Sequence, residues 1–395
     1  MRNGIYLLLI IFGFLCAACE KLVDIEEKPE VKDREVTFTI QIVDSTGILQ
    51  NLYGTNNVAG AEVLIQSNLH NDQYSLETDE NGIITLSGLV TGEYIIGVSR
   101  DVTAEEMEEL YGEKLYQRSL VNSTNGLIEL RADQTDTLKV PLDKLSVESS
   151  LVISEIYSSG PSGSGNYYHD KYIEIYNQSD EIQYLDGLII ARVYSYSPTG
   201  FSYVDDPDYI HSNSIWKFPG SGTEYPINPG QFVVCAEDGM DHRINAPNSI
   251  DLSDADFEFY KKDASDVDYA NVKNMIMIYQ TSGNDWLIGA KTDALVLADF
   301  DSDSLIWDDE LYLIPSSAVL DGVEYLYDPT ELEDKRLYPG IDAGAAGGID
   351  IYTGKTFERK ISSIEDGKVK LKDDNNSSLD FNVYSQPSPK THNEL

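Results

Sequence analysis

Regular alternation of apolar and polar residues begins at Glu35. From Glu35 to Val43 every second side chain is apolar, as in a strand with one face in a core. Short apolar runs follow at Val58–Ile65, Ile83–Leu89 and Thr91–Val98. Between them Asn81-Gly82 offers the positive φ that a turn joining antiparallel strands needs. One helix is predicted: Thr103 and Glu106 fit a capping box, followed by an apolar stripe of Met107, Leu110 and Tyr111. Strands near 126–131 and 136–142 complete this first unit.

A second set of strands starts at Leu151–Tyr157 and continues through Lys171–Ser179, Tyr184–Ile190 and Ile227–Val234. Residues of about 235–350 are longer than a connection needs, and Val272–Tyr279, Ala294–Ala298, Leu305–Ile314 and Val323–Tyr327 read as strands within them. Periodicity leaves open whether they join the second unit or form a small layer of their own. The pattern predicts an all-β chain in two tandem domains, over 35–145 and 150–392, and the family resemblances described below imply that both are Ig-like/prealbumin-like β-sandwiches. The second has a large insertion at about 235–350 and few helices.

The N-terminus departs from this pattern. Arg2 precedes an apolar run that ends Ala17-Ala18-Cys19, too short to span a membrane comfortably and placed where a secretory signal sits. Small residues before a cysteine resemble a bacterial lipoprotein signal. The resemblance implies that 1–18 are removed and that Cys19 carries lipid, palmitate included. Cys16 would leave with the signal, so the CxxC spacing of Cys16 and Cys19 is no metal or redox site. Residues 19–34 are charged, contain Pro29 and read as a tether.

The 395 residues carry a formal net charge of −40. That charge repels phosphate backbones and anionic lipid, which excludes a nucleic-acid partner, and it attracts cations and basic surfaces. Past the signal only Cys19 and Cys235 remain, and Cys235 lies in an apolar strand pattern, so packing rather than a disulfide must hold the domains.

From Val58 to Val98 the order of a Gly-Ala strand, a Thr-Asp-x-x-Gly turn, a Gly-Leu step and a Gly-x-Tyr strand resembles the carboxypeptidase regulatory-like and collagen-adhesin B-type sandwich families. Those modules are spacers without catalytic residues. Ile153-Ser-Glu-Ile156, Tyr172-Ile-Glu-Ile-Tyr-Asn177, Pro229-Gly230, Gly354-Lys-Thr-Phe-Glu-Arg359 and Asp380-Phe381 together resemble the lamin-tail domain, an immunoglobulin-type sandwich. As a whole the chain is similar to Bacteroidota outer-membrane lipoproteins of uncharacterised function. The similarity implies a lipid anchor in the outer membrane, and the acidic Glu20, Asp24, Glu26 and Glu27 favour its cell-surface face.

Three candidate sites stand out. Asp299, Asp301, Asp303 and Glu310 have EF-hand spacing for calcium, although Ser304 replaces the glycine of the sharp turn. No other cofactor is called for. Tyr167 and Tyr168 lie in a Gly/Ser-rich loop. Tyr196, Phe201, Tyr203, Tyr209 and Trp216 lie in an aromatic stretch that reads as a long loop, and such rings suit a protein partner or a sugar face. Ser45, Thr137 and Ser304 follow aspartate in the short pattern that Bacteroidota O-glycosylate on exported proteins. No HExxH, GxSxG or P-loop motif is present, and the five histidines show no ligand spacing. The expectation is a non-enzymatic binding protein, accessory to an outer-membrane uptake receptor or surface assembly. The alternatives are an adhesin or structural lipoprotein, and a glycan- or peptide-acting hydrolase using carboxylates of the insertion.

Overall fold

The computed structural model describes residues 35–67, 73–111, 118–122, 126–131, 137–145, 149–163, 165–196, 201–281, 283–365 and 367–395. The signal run, Cys19 and the tether lie outside the described residues. The chain is all-β, with a few short helices. Among the described residues no helix is long and apolar enough to cross a membrane.

Residues 35–145 form two facing sheets. Glu35–Asp44 pairs antiparallel with Ile83–Val90 and parallel with Leu138–Leu142. The opposite sheet has six strands built around Gly92–Val102. Phe38, Ile40 and Ile42 from one sheet pack against Val63, Ile65 and Val98 from the other, which is the burial that the alternation foretold. The capping box is present: Thr103 N–H donates to Glu106 Oε2 at 2.8 Å, and Glu106 N–H to Thr103 Oγ1 at 3.3 Å.

The turn at Asn81-Gly82 differs from expectation. Gln73–Glu77 pairs with Glu62–Ser67, whereas Ile83–Val90 pairs with Glu35–Asp44, so the chain arches from one sheet to the other instead of closing a hairpin. Gly82 has φ +72°, and a Cβ there would lie 2.8 Å from both Ile42 O and Val58 N. The arch is wedged against backbone, which only glycine permits.

The second sandwich pairs a seven-stranded sheet with an eight-stranded one. In the first, Leu151–Tyr157 lies between Tyr172–Asn177 and Thr356–Arg359. In the second, Asp293–Ala298 lies between Ile189–Val193 and Val319–Leu326. Residues 235–350 therefore form no separate layer. Their strands supply most of the second sheet, and Leu295, Leu297, Val323 and Tyr325 share a core with Ile153, Ile173 and Trp216.

Leu151–Tyr157 and Tyr172–Asn177 are buried at every position. Their outer face is covered by the hairpin of Ile361–Glu365 and Lys368–Leu371, which packs Val369 and Leu371 on Val152 and Tyr176, and by the C-terminal strap around Ser388 and Lys390. Arg359, which follows Glu358 on its strand, is fully buried. Its guanidinium donates to Ile153 O at 3.0 Å, to Asp321 at 2.8 and 3.0 Å, to Asp373 at 3.3 Å and to Asp380 at 3.4 Å. The two sandwiches touch through Lys372 Nζ on Glu62 Oε2 and Lys144 Nζ on Gly340 O, each 2.5 Å.

Candidate functional site

Three segments meet at one end of the second sandwich. Leu151–Tyr157 runs out into the loop that ends at His169 and Asp170. Phe232–Ala236 runs out into Glu237 and Asp238. The third segment brings Asp285 before the strand Asp293–Ala298. Lys171 is anchored among them, with Nζ donating to Ile288 O at 2.7 Å.

His169 is the centre of this arrangement. Its Nδ1 lies 2.9 Å from Glu237 Oε1, 3.2 Å from Asp285 Oδ2 and 3.9 Å from Asp238 Oδ2. Hydrogen bonding to Asp285 and Glu237 pushes the imidazole up to about 10, so it is cationic at neutral pH. Burial, followed by the charge of Asp285, pushes Asp238 up to about 7. Burial drives Glu237 well above the carboxylate range, and its Oε2 has no hydrogen-bond partner. Asp266 and Glu258 add negative charge beside Asp238.

The tyrosines frame this histidine. Tyr168 stacks on it with ring centroids 4.6 Å apart and keeps 40% of its own surface exposed. Tyr167 meets His169 edge-on and hydrogen-bonds His242 Nδ1 at 2.6 Å. His242 Nε2 faces the Asp238 carbonyl at 3.0 Å, which can only accept, so Nδ1 accepts from the tyrosine hydroxyl. Burial lowers His242 to about 4 and keeps it neutral.

A second aromatic–histidine–carboxylate group lies at the same end. Tyr203 stacks flat on His211, centroids 3.7 Å apart and planes 4° apart, and His211 Nε2 meets Asp206 Oδ2 at 2.8 Å. Tyr203 is 38% exposed. The shared end follows from the strands: Val193 pairs with Ser212, and beside it Arg192 holds Asp293, which lies within Coulombic reach of Lys171.

Other expected sites fare differently. Trp216 and Phe218 are fully buried, and Tyr209 and Trp216 belong to the strand Tyr209–Lys217 rather than a loop. Trp216 therefore offers no partner surface. Tyr196 and Phe201 lie on the paired strands Ser195–Tyr196 and Phe201–Ser202.

Asp299, Asp301, Asp303 and Glu310 do not converge as calcium ligands. Among the described residues, only His169, Asp238 and Asp285 bring three such donor atoms within 4.8 Å of one another. Asp301 caps a short 3-10 turn, while Asp309 and Glu310, at φ 44° and 69°, form the tight turn of the hairpin Ile306–Asp308 and Leu311–Pro315. The hairpin carries Glu310 away along its own length. Ser45, Thr137 and Ser304 are all exposed, as a modified hydroxyl requires.

Sequence reading placed His169 beside Tyr167 and Tyr168 in the Gly/Ser-rich loop without giving it a role, and missed Glu237, Asp238 and Asp285. The one available signal was the run Tyr167-Tyr168-His169-Asp170-Lys171, with alternating and aromatic residues in a Gly/Ser-rich loop.

A family described as protein of unknown function (DUF4876) has a model that matches residues 228–310 and 299–388, the part of the chain that holds Glu237, Asp238 and Asp285. A DUF4876 family protein from Bacteroides thetaiotaomicron shares the fold: TM-score 0.52 at 23% identity, over 88% of this chain and 94% of that one. A streptococcal ancillary pilin (TM-score 0.18, 13% identity, 50% of this chain and 52% of that one) and the major pilin subunit of Bacillus cereus (TM-score 0.18, 11% identity, 90% and 86%) are too distant in shape to carry an argument. No curated protein matches the chain.

Proposed function

We propose that this chain is a lipid-anchored, non-catalytic binding protein of the bacterial outer membrane. Cys19 holds the lipid, residues 19–34 are the tether, and residues 35–145, which resemble a regulatory-like spacer, carry the second, lamin-tail-like sandwich away from the membrane. The observation that carries the binding role is the pairing of two half-exposed tyrosines, Tyr168 and Tyr203, each stacked on a histidine that a carboxylate holds, at one end of a rigid sandwich. Rings fixed in this way lose little conformational freedom when a partner covers them. A surface protein, such as an uptake receptor, suits this end better than nucleic acid, given the charge of −40.

Co-purification of the full chain from native membranes in mild detergent tests this. A partner retained by the wild type and lost on joint Tyr168→Ala and Tyr203→Ala substitution is the expected result. A solitary monomer would overturn it. Cys19→Ala is expected to move the chain out of the membrane fraction.

A second reading has one observation in its favour. Hydrolysis by carboxylates of residues 235–350 would use Asp238, which burial holds near neutrality beside Asp285. Turnover of glycan or peptide substrates, lost in Asp238→Asn, would establish it.

A further inference from the structure

We propose that His169, Asp238 and Asp285 form a binding site for a divalent first-row transition-metal ion, with Glu237 as a third carboxylate against the imidazole. The inference is independent of any protein partner at this end of the sandwich.

Nδ1 of His169 carries either one proton or one lone pair, yet three carboxylates lie within 3.9 Å of it. One proton can bridge to one oxygen well and to a second poorly, so the third carboxylate is left without a charge partner. Asp266 and Glu258 add to the excess. Lys171, whose Nζ donates to Ile288 O, also interacts electrostatically with Glu237, but its one charge with that of His169 is still outnumbered by the carboxylates.

A second observation points the same way. The Glu237 side chain is completely buried. It presents one oxygen to His169, and the other has no hydrogen-bond partner. A buried carboxylate oxygen with no donor is costly, and a positive ion at the centre of the group would offset that cost electrostatically.

The donor set selects the ion. Imidazole nitrogen with carboxylate oxygens suits zinc or manganese, whereas calcium and magnesium prefer oxygen alone. His169 is 37% exposed, so the site opens to solvent and an ion can enter. Bound there, it would tie together the loops before Asp170, after Ala236 and before Asp293.

The test is calorimetric titration of the full chain, stripped with chelator and held in detergent, with Zn2+, Mn2+ and Ca2+ in turn. The expected result is one site per chain, at least tenfold tighter for Zn2+ or Mn2+ than for Ca2+. His169→Gln and Asp285→Asn should each weaken it at least tenfold, while joint Asp308→Asn and Asp309→Asn, on the remote hairpin, should not. Zn2+ or Mn2+ should also raise the melting temperature of the wild type and leave that of Asp285→Asn unchanged. Should Asp285→Asn fail to fold, His169→Gln alters a partly exposed position and decides alone. Weak binding that the site variants leave unaltered would mean ions spread over an acidic surface, and would overturn the proposal.

Discussion

Glu155 stands opposite Glu174 on the neighbouring strand, and both carboxylates are buried. Glu358 stands opposite Glu155 on its other side. The C-terminal strap closes over this row with its backbone: Ser388 N–H donates to Glu155 at 3.1 Å, Lys390 N–H to Glu174 at 2.5 Å and Asn393 N–H to Glu358 at 2.8 Å. Tyr172 also donates to Glu155, at 2.5 Å. Three carboxylates side by side in a core cannot all ionise cheaply.

The row makes stability depend on pH. Burial raises Glu155 from 4.5 to about 7, and raises Glu174 and Glu358 as well. With folded values above unfolded ones, the contribution is complete below the unfolded value and is lost as pH rises through the folded value. For Glu155 alone this is on the order of 3 kcal/mol between pH 4.5 and 7. Urea midpoints from pH 5 to 8 should fall less steeply for Glu155→Gln than for the wild type. Parallel curves would refute the role of the row. Hydrogen exchange at Ser388, Lys390 and Asn393 should quicken over the same range.

Gly82→Ala should destabilise the first sandwich by about 2–4 kcal/mol, because a Cβ would strike Ile42 O and Val58 N and the left-handed backbone adds strain. Gly47→Ala is the comparison. It also has positive φ, at +82°, but nothing within 4 Å, and should cost only about 1 kcal/mol. Thermal unfolding of both variants checks the difference, and equal losses would show that the wedge does not matter.

Arg359→Met should cost at least about 3–5 kcal/mol, since it leaves Asp321, Asp373 and Asp380 buried without their cation. Arg359→Lys should recover little, because one ammonium cannot reproduce the planar fork that spans Asp321, Asp373 and the Ile153 carbonyl. Denaturant midpoints compare the two. Full recovery with lysine would mean that charge alone suffices.

Cys235 is the only thiol in a chain beginning at Glu35. It is fully buried, and burial holds its thiol well above the usual range. Aromatic disulfide reagents should leave it unmodified in the native chain and label it at the rate of unfolding. Labelling within minutes under native conditions would contradict this packing.

How much of this was legible in the chain depended on which face a strand turned to solvent. Glu35–Asp44 has one wet face, so its alternation survives and the first core could be read directly. Tyr209–Lys217 lies inside a sheet with both faces covered. His211, Ser212 and Ser214 are buried there beside Trp216, which erased the alternation and made a strand look like an aromatic loop. The capping box was legible because Thr103 and Glu106 are neighbours. The group around His169 was not, because its carboxylates come from segments far along the chain that only the fold brings together. The glutamates of the row could be seen in Ile-Ser-Glu-Ile and Tyr-Ile-Glu-Ile, but their burial could not, since the covering strap comes from the last residues.

The strand order has a consequence for the time course of folding. Leu151–Tyr157, the first strand of the second sandwich, needs Thr356–Arg359 as its neighbour, and that strand in turn needs Phe381–Tyr384. The ladder that closes the sheet joins residues about 200 positions apart, an order of assembly that is intrinsically slow. Until residues 356–393 arrive, Leu151–Tyr157 lacks one neighbour and the row of glutamates is uncovered. The second sandwich therefore cannot settle before Ser388, Lys390 and Asn393 are in place, and deletion of residues 384–395 would harm the fold more than their surface position suggests.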